Sequence, residues 1–165
     1  MEYSLFMIKP CAYKEKKDIL NILNQRLNII FIKDIILNEQ FLDKLYGNEQ
    51  NEIYKKINTE YLKGKPACIG IVSGKNAIND LIEVCGSKPL GSMCDKDSIR
   101  YRYAPKEEII HLKKDQVFFV NAIHKASPEE ALEQVCLFIT EFFKDELGKC
   151  NIINENSNDK EIYER

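Results

Sequence analysis

Tyr3-Ser4-Leu5-Phe6-Met7-Ile8 is an uncharged run that ends at Lys9-Pro10, and residues 14–27 behind it carry Ile19, Leu20, Ile22, Leu23 and Leu27 at helical spacing, three, four and eight residues on from Ile19. A short apolar run closed by a proline reads as a buried strand, and the spacing that follows reads as an amphipathic helix. The chain therefore opens with a βα unit. Residues 28–37 form a long apolar strand (Ile29-Ile30-Phe31-Ile32, Ile35-Ile36), and Asn38 is placed to cap a short helix over 39–46 through its side-chain oxygen. A second, polar helix spans 49–63 with Ile53, Ile57, Tyr61 and Leu62 on one face, and Gly64-Lys65-Pro66 stops it. The strand 67–72 and the helix 75–84, ended by Gly86, repeat the alternation.

Residues 87–116 have weak periodicity, broken by Pro89, Gly91 and Pro105. An irregular stretch of this length is more often functional or an assembly surface than filler. Val117-Phe118-Phe119-Val120 then reads as a strand that delivers His124 to its C-terminal end, with Asn121 three residues before it. Ser127-Pro128-Glu129-Glu130 carries a cap, a first-position proline and an acidic first turn, so a last helix is expected over 131–143. The expected architecture is α+β: a ferredoxin-like βαββαβ sandwich with a four-stranded antiparallel sheet, helices on one face, an inserted helical pair and a long loop before the last strand. Residues 1–150 are expected to form a single domain and 151–165 a polar C-terminal tail.

Composition narrows the function classes. The 165 residues include 24 Lys+Arg and 26 Asp+Glu, and a net charge of −2 gives no footprint of a nucleic-acid binder. Any anion site must be local. No apolar run approaches membrane-spanning length, and Met1-Glu2-Tyr3 starts a strand rather than a signal peptide. Six cysteines are scattered without a C-x-x-C pair, and three sit in apolar runs where a thiol packs as a small hydrophobe. The expectation is a soluble, reduced, cytoplasmic protein with no metal held by its own side chains.

His124 is a candidate nucleophile. An imidazole accepts and returns a phosphoryl group through one ring nitrogen when the other is held in a defined hydrogen bond. His111, the second histidine, falls in the irregular stretch and is expected to be solvent-exposed.

Four ordered pieces carry a family resemblance: Phe6-Met7-Ile8-Lys9-Pro10 after the first strand, Ser98-Ile99-Arg100, Asn121-Ala122-Ile123-His124, and the terminal Tyr163-Glu164. Together they resemble a nucleoside diphosphate kinase over nearly the whole chain. The resemblance implies that His124 takes a phosphoryl group from a nucleoside triphosphate such as ATP and passes it to a nucleoside diphosphate by a ping-pong route, with Mg2+ carried on the phosphates. It implies phosphate contacts from Lys9, Arg100 and Tyr46, a ribose or phosphate contact from Asn121, base stacking on Tyr54, and a homo-oligomer. Lysine and arginine suit these roles because an ammonium offsets charge on transferring oxygens and a guanidinium matches them as a planar fork.

The departures are as specific as the matches. Cys11 follows Lys9-Pro10 where the family has aspartate, and Lys125-Ala126-Ser127 follows the histidine where it has glycine, serine and aspartate. Gln134 aligns with the family's histidine-orienting glutamate, with Glu130 and Glu133 as nearby substitutes. Ile82 stands at a phosphate-binding arginine and Lys88 at its partner threonine, so Lys88 is expected to restore one positive charge, with Arg102, Lys75 and Lys125 as further candidates. Residues 105–116 form an insertion, which leaves the usual hexamer open to question. The alternative reading is a nucleotide-binding or scaffold protein on the same fold with impaired turnover.

Overall fold

In the computed structural model, residues 1–111 and 116–143 are described. Residues 112–115, with Lys113-Lys114-Asp115, and residues 144–165, with the expected tail 151–165 and Tyr163-Glu164, lie outside the described residues.

The strands β1 (Glu2–Ile8), β2 (Asn28–Ile36), β3 (Pro66–Gly74) and β6 (Ile123–Lys125) form one antiparallel sheet in the order β2-β3-β1-β6. This is the expected ferredoxin-like order. Between them run α1 (Lys16–Asn24), α2 (Glu39–Leu45), α3 (Glu52–Leu62), α4 (Ala77–Cys85) and α5 (Ile99–Arg102); α6 (Ala131–Phe142) follows β6. Short 3-10 segments occupy Pro10–Glu15 and Gly91–Met93.

Helices cover both faces of the sheet, not one. Phe6 and Ile8 of β1 join Cys68 and Val72 of β3 against α1 and α4, while Leu5, Met7, Ile69 and Ile71 join Phe41 and Leu42 of α2, Leu62 of α3 and Phe138 of α6. Double coverage explains why β1 and β3 read as continuous apolar runs without alternation. Gly70 marks the tightest point, since a Cβ there would fall 2.5 Å from the Phe31 carbonyl oxygen and 2.6 Å from Phe6 Cζ.

Several helix ends follow the sequence chemistry. Asn38 accepts from the Phe41 N–H at 2.8 Å, as expected, and Asn51, which the reading passed over, accepts from Tyr54 N–H at 3.0 Å and starts α3 later than residue 49. Gly86, with φ of 99°, ends α4. The start of α6 differs from expectation. Ser127 to Glu130 close a turn, with Glu130 N–H donating to the Ser127 carbonyl at 3.1 Å and the Ser127 hydroxyl donating to Glu130 Oε2 at 2.8 Å. Pro128 thus lies in the turn, and the helix begins at Ala131.

The largest correction concerns the histidine strand. Val117–Phe119 is β5, which pairs with β4 (Ile109–His111) in a separate two-stranded sheet, in the register Ile109↔Phe119 and Ile110↔Phe118. His124 lies on β6, a different strand. The break falls at Asn121-Ala122, where the Asn121 amide turns to donate to the Pro89 carbonyl at 3.0 Å. Asparagine is depleted in strands, so its presence was the available signal. The irregular region therefore contains a hairpin, and His111 is exposed on β4.

Candidate active site

Register fixes the aim of His124. It pairs with Met7 and so shares Met7's face of the sheet, the one covered by α2, α3 and α6. Gln134, buried on the inner side of α6, meets it there: His124 Nε2 and Gln134 Oε1 are 2.8 Å apart. With the amide oxygen toward the ring, Nε2 carries the proton and donates, and Nδ1 is left as a lone pair. Tyr46, at the end of α2, sets its ring edge-on to the imidazole at 5.3 Å between centroids. Glu130 is tied to Ser127, and Glu133 Oε2 accepts from Asn48 at 3.1 Å, so neither replaces Gln134 as the partner of His124.

Lys9 leaves β1 as the sheet ends, its N–H donating to the Ala122 carbonyl at 2.9 Å and Pro10 starting the next turn. Its side chain is buried. Arg100, on the four-residue α5 capped by Ser98, is buried too. Nε and Nη2 of Arg100 donate to the Ile123 carbonyl at 3.2 and 3.0 Å, and Nη1 donates to the Lys88 carbonyl at 2.6 Å. Five N–H groups minus these three leaves two for a ligand, so the fork clasps the residue before His124 and keeps capacity for an anion. Cys11 donates through its thiol to the Asn121 carbonyl at 3.4 Å, and Asn121 Oδ1 is buried without a partner among the described residues.

The expected compensating cations separate cleanly. Lys88 is exposed and enters through its backbone carbonyl alone among the described contacts; Lys75 and Arg102 are exposed. Lys125 is half-buried, and burial together with the Arg100 charge holds its ammonium below the ordinary lysine value. Ile82, half-buried on α4, supplies no charge.

Burial, the Arg100 guanidinium and the Cys11 thiol act on Lys9, the first two outweighing the third, and bring its ammonium down to about 8. His124 is lowered from 6.5 to about 3, by burial first; the Gln134 bond opposes this, and the charges of Lys9, Arg100 and Lys125 add to it. The imidazole is therefore neutral and nucleophilic throughout the physiological range. Among the described residues, none of Lys9, Arg100 and Lys125 is in an ion pair with a carboxylate. Two buried cations, Lys9 and Arg100, without a described carboxylate partner near one neutral imidazole have the chemistry that suits an anion.

A cavity of about 370 Å³ opens beside His124, lined by Tyr46, Glu49, Glu130 and Gln134 among others. Glu130, expected near the histidine, lines this cavity, whereas Glu49 was not anticipated and no spacing in the sequence signals it. Tyr54 does not line this cavity; its ring packs against Phe118 of β5 at 5.3 Å. Among the described residues no three His, Cys, Asp or Glu side chains gather as a metal site, and no helix is long and apolar enough to cross a membrane.

The fold has solved counterparts. A nucleoside diphosphate kinase of Encephalitozoon cuniculi, crystallised without ligand, is 20% identical, with 84% of this chain and 89% of that one covered and a TM-score of 0.67. A nucleoside diphosphate kinase family protein of Babesia bovis is 19% identical over 85% and 89%, with a TM-score of 0.69. The enzyme of Borrelia burgdorferi, solved as a transition-state mimic with vanadate and ADP, is 18% identical over 83% and 86%, with a TM-score of 0.66. No curated protein sequence matches the chain. The family model described as nucleoside diphosphate kinase matches residues 2–145, nearly the whole chain, and the protein belongs to that family.

Proposed function

We propose that the protein is a nucleoside diphosphate kinase that moves the terminal phosphoryl group of ATP or another nucleoside triphosphate to a nucleoside diphosphate through phospho-His124. One observation carries this reading: a neutral imidazole, held at Nε2 by Gln134, stands with two buried cations, Lys9 and Arg100, that no carboxylate among the described residues neutralises. Nδ1 attacks the terminal phosphorus in line, the bond to the bridging oxygen breaks, and the diphosphate departs. Lys9 and the free N–H groups of Arg100 offset charge on the phosphate oxygens, and Asn121 and Tyr46 offer polar contacts along the nucleotide. The reverse transfer to a second diphosphate regenerates His124. Mg2+ enters on the substrate's phosphates, since the donors here are amine, guanidinium and amide groups that suit phosphate and repel a metal. Incubation with Mg-ATP should leave acid-labile, base-stable phosphate on the protein, and ATP should phosphorylate GDP. A protein that acquires no such phosphate would refute the proposal.

Gln134 sets how well this works. As the imidazole becomes phosphorylated, positive charge spreads over the ring, and an amide oxygen stabilises it less than a carboxylate does. Gln134→Glu is expected to raise turnover about tenfold, the difference between a neutral and a charge-assisted hydrogen bond. Steady-state rates of the two proteins check this, and an unchanged or slower variant would exclude Gln134 as the limiting feature. The same residue, with Ile82, motivates the second reading, nucleotide binding without turnover. Binding of ATP with no exchange of phosphate to GDP would favour it.

A homo-oligomer is also proposed, through β2. This edge strand leaves Ile32 and Ile36 at 50% and 64% exposure, and an open apolar edge is a surface that pairing removes. Light scattering should give a multiple of 19.2 kDa for the native chain and a smaller particle for Ile32→Lys/Ile36→Lys; a monomeric native chain refutes it. The five described cysteines are all free, which fits a reducing compartment such as the cytoplasm.

A further inference from the structure

The inserted hairpin is joined to the candidate site through one carboxylate. Glu108, the residue before β4, is tied twice: its carbonyl accepts from Val120 N–H at 2.8 Å, which closes the root of the β4–β5 hairpin, and its side-chain oxygens accept from Ser92 N–H at 3.1 and 3.3 Å. Val120 leads directly into Asn121, whose amide donates to the Pro89 carbonyl at 3.0 Å. The segment 89–92 is therefore held against 120–121 at both ends, directly by Asn121 and through Glu108 at the other end, and chain and bonds form a closed ring. Two candidate nucleotide contacts depend on it. Asn121 is a member, with its Oδ1 buried and without a partner among the described residues. Arg100 is held by the same segment: Nη1 donates to the Lys88 carbonyl at 2.6 Å, and Gly91 packs so closely on the Arg100 carbonyl that a Cβ would fall 2.0 Å from its oxygen. That Cβ would also fall 2.9 Å from Glu108 Oε1, so glycine is what admits the carboxylate. The hairpin has a separate seat on α3, where the Phe118 ring lies 5.3 Å from both Tyr54 and Tyr61.

We infer that Glu108 is a positioning residue for nucleotide binding, which acts by holding Asn121 and Arg100 at one fixed separation. The inference rests on the phosphate site proposed around His124. A hydrogen bond from a backbone N–H to a carboxylate is short and directional, so it fixes the ring where a solvated side chain would leave it loose. The reacting groups lie outside the ring: His124 and Gln134 on β6 and α6, and Lys9 at the end of β1. Loss of Glu108 therefore weakens the grip on the phosphates in substrate and transition state alike, which raises KM and leaves kcat in place.

Steady-state rates and calorimetric titration of Mg-ADP across a Glu108 series test it. Glu108→Ala should raise KM for GDP and Kd for Mg-ADP about tenfold, the factor that one charge-assisted hydrogen bond carries, with kcat at saturation within about threefold of native. Glu108→Gln keeps an oxygen at the same reach for Ser92 N–H and should recover most of the loss. Glu108→Asp keeps the charge but is a methylene short, and should behave as alanine does. This pair decides between reach and charge even if Glu108→Ala fails to fold. An aspartate variant that matches native, or a glutamine variant no better than aspartate, would overturn the inference, because charge and not the bond would then matter. So would a series that melts lower while KM and Kd stay native, the mark of a residue that supports the fold alone. A native protein that binds Mg-ADP but gains no phosphohistidine would remove only the catalytic reading, and the Kd series would still decide the role of Glu108. A native protein that binds no Mg-ADP would overturn the phosphate site and this inference with it.

Discussion

Replacement of His124 by alanine should abolish both the acid-labile phosphate and the ATP-to-GDP exchange, with turnover falling on the order of 10⁴- to 10⁶-fold. Losses of this size follow removal of a covalent nucleophile, since the remaining groups bind and orient but form no bond. The variant leaves Gln134, 4% exposed, without its partner, at a cost of about 1–3 kcal/mol of stability. A thermal melt therefore accompanies the assay, and His124→Asn, which retains a polar group toward Gln134, provides a second inactive variant with less loss of stability. Exchange that survives in a folded His124→Ala protein would sink the phosphohistidine route. Binding of nucleotide should persist in it, because Lys9 and Arg100 are untouched and the phosphates are held by them.

The sheet was legible because its strands are buried on both faces. Leu5 to Ile8 and Ile69 to Val72 show no polar interruption, and the helices between them carry their apolar positions at helical spacing. What the sequence hid was which run pairs with which. Val117–Phe119 and Ile123–Lys125 both have strand composition and are separated by three residues, so periodicity joined them into one element. Only Asn121, an unfavourable strand residue, marked the break. The candidate site was legible to this extent: Lys9, Arg100, Asn121 and His124, picked out by residue type, come together where the end of β1, α5 and the start of β6 meet. It was illegible where a role depends on three-dimensional neighbours. Lys88 and Lys125 are both lysines near the site in sequence, yet Lys125 is half-buried near Arg100 and Lys88 is exposed. Tyr54 keeps its place on α3, but the hairpin that covers it comes from a region whose periodicity is too weak to announce a strand.

Lys9→Met should lower turnover about 10²- to 10³-fold, the usual effect of deleting one preorganised group that faces developing oxyanion charge. A second consequence distinguishes a functional lysine from a structural one. Lys9 is 8% exposed and its ammonium is pulled from 10.5 to about 8, by burial first and then by Arg100, so charging it in the fold is unfavourable. Between pH 8 and 10.5 the unfolded chain binds the proton more readily than the native one, and stability rises with pH across that window. Below pH 8 both states are protonated and the penalty is present in full, on the order of 3 kcal/mol. Methionine removes it, so Lys9→Met should melt higher than the native protein at pH 7, and the advantage should shrink as pH approaches 10. Activity runs the other way, because only the charged lysine attracts phosphate. For the native protein kcat/KM, which reports the free enzyme, should fall above about pH 8 as one proton is lost. No matching loss should occur near pH 6.5, since His124 is already neutral there. Lys9→Arg should move the alkaline limb beyond the measurable range. A Lys9→Met protein that is less stable at pH 7, or that keeps native turnover, would show that the lysine supports the fold rather than the transfer.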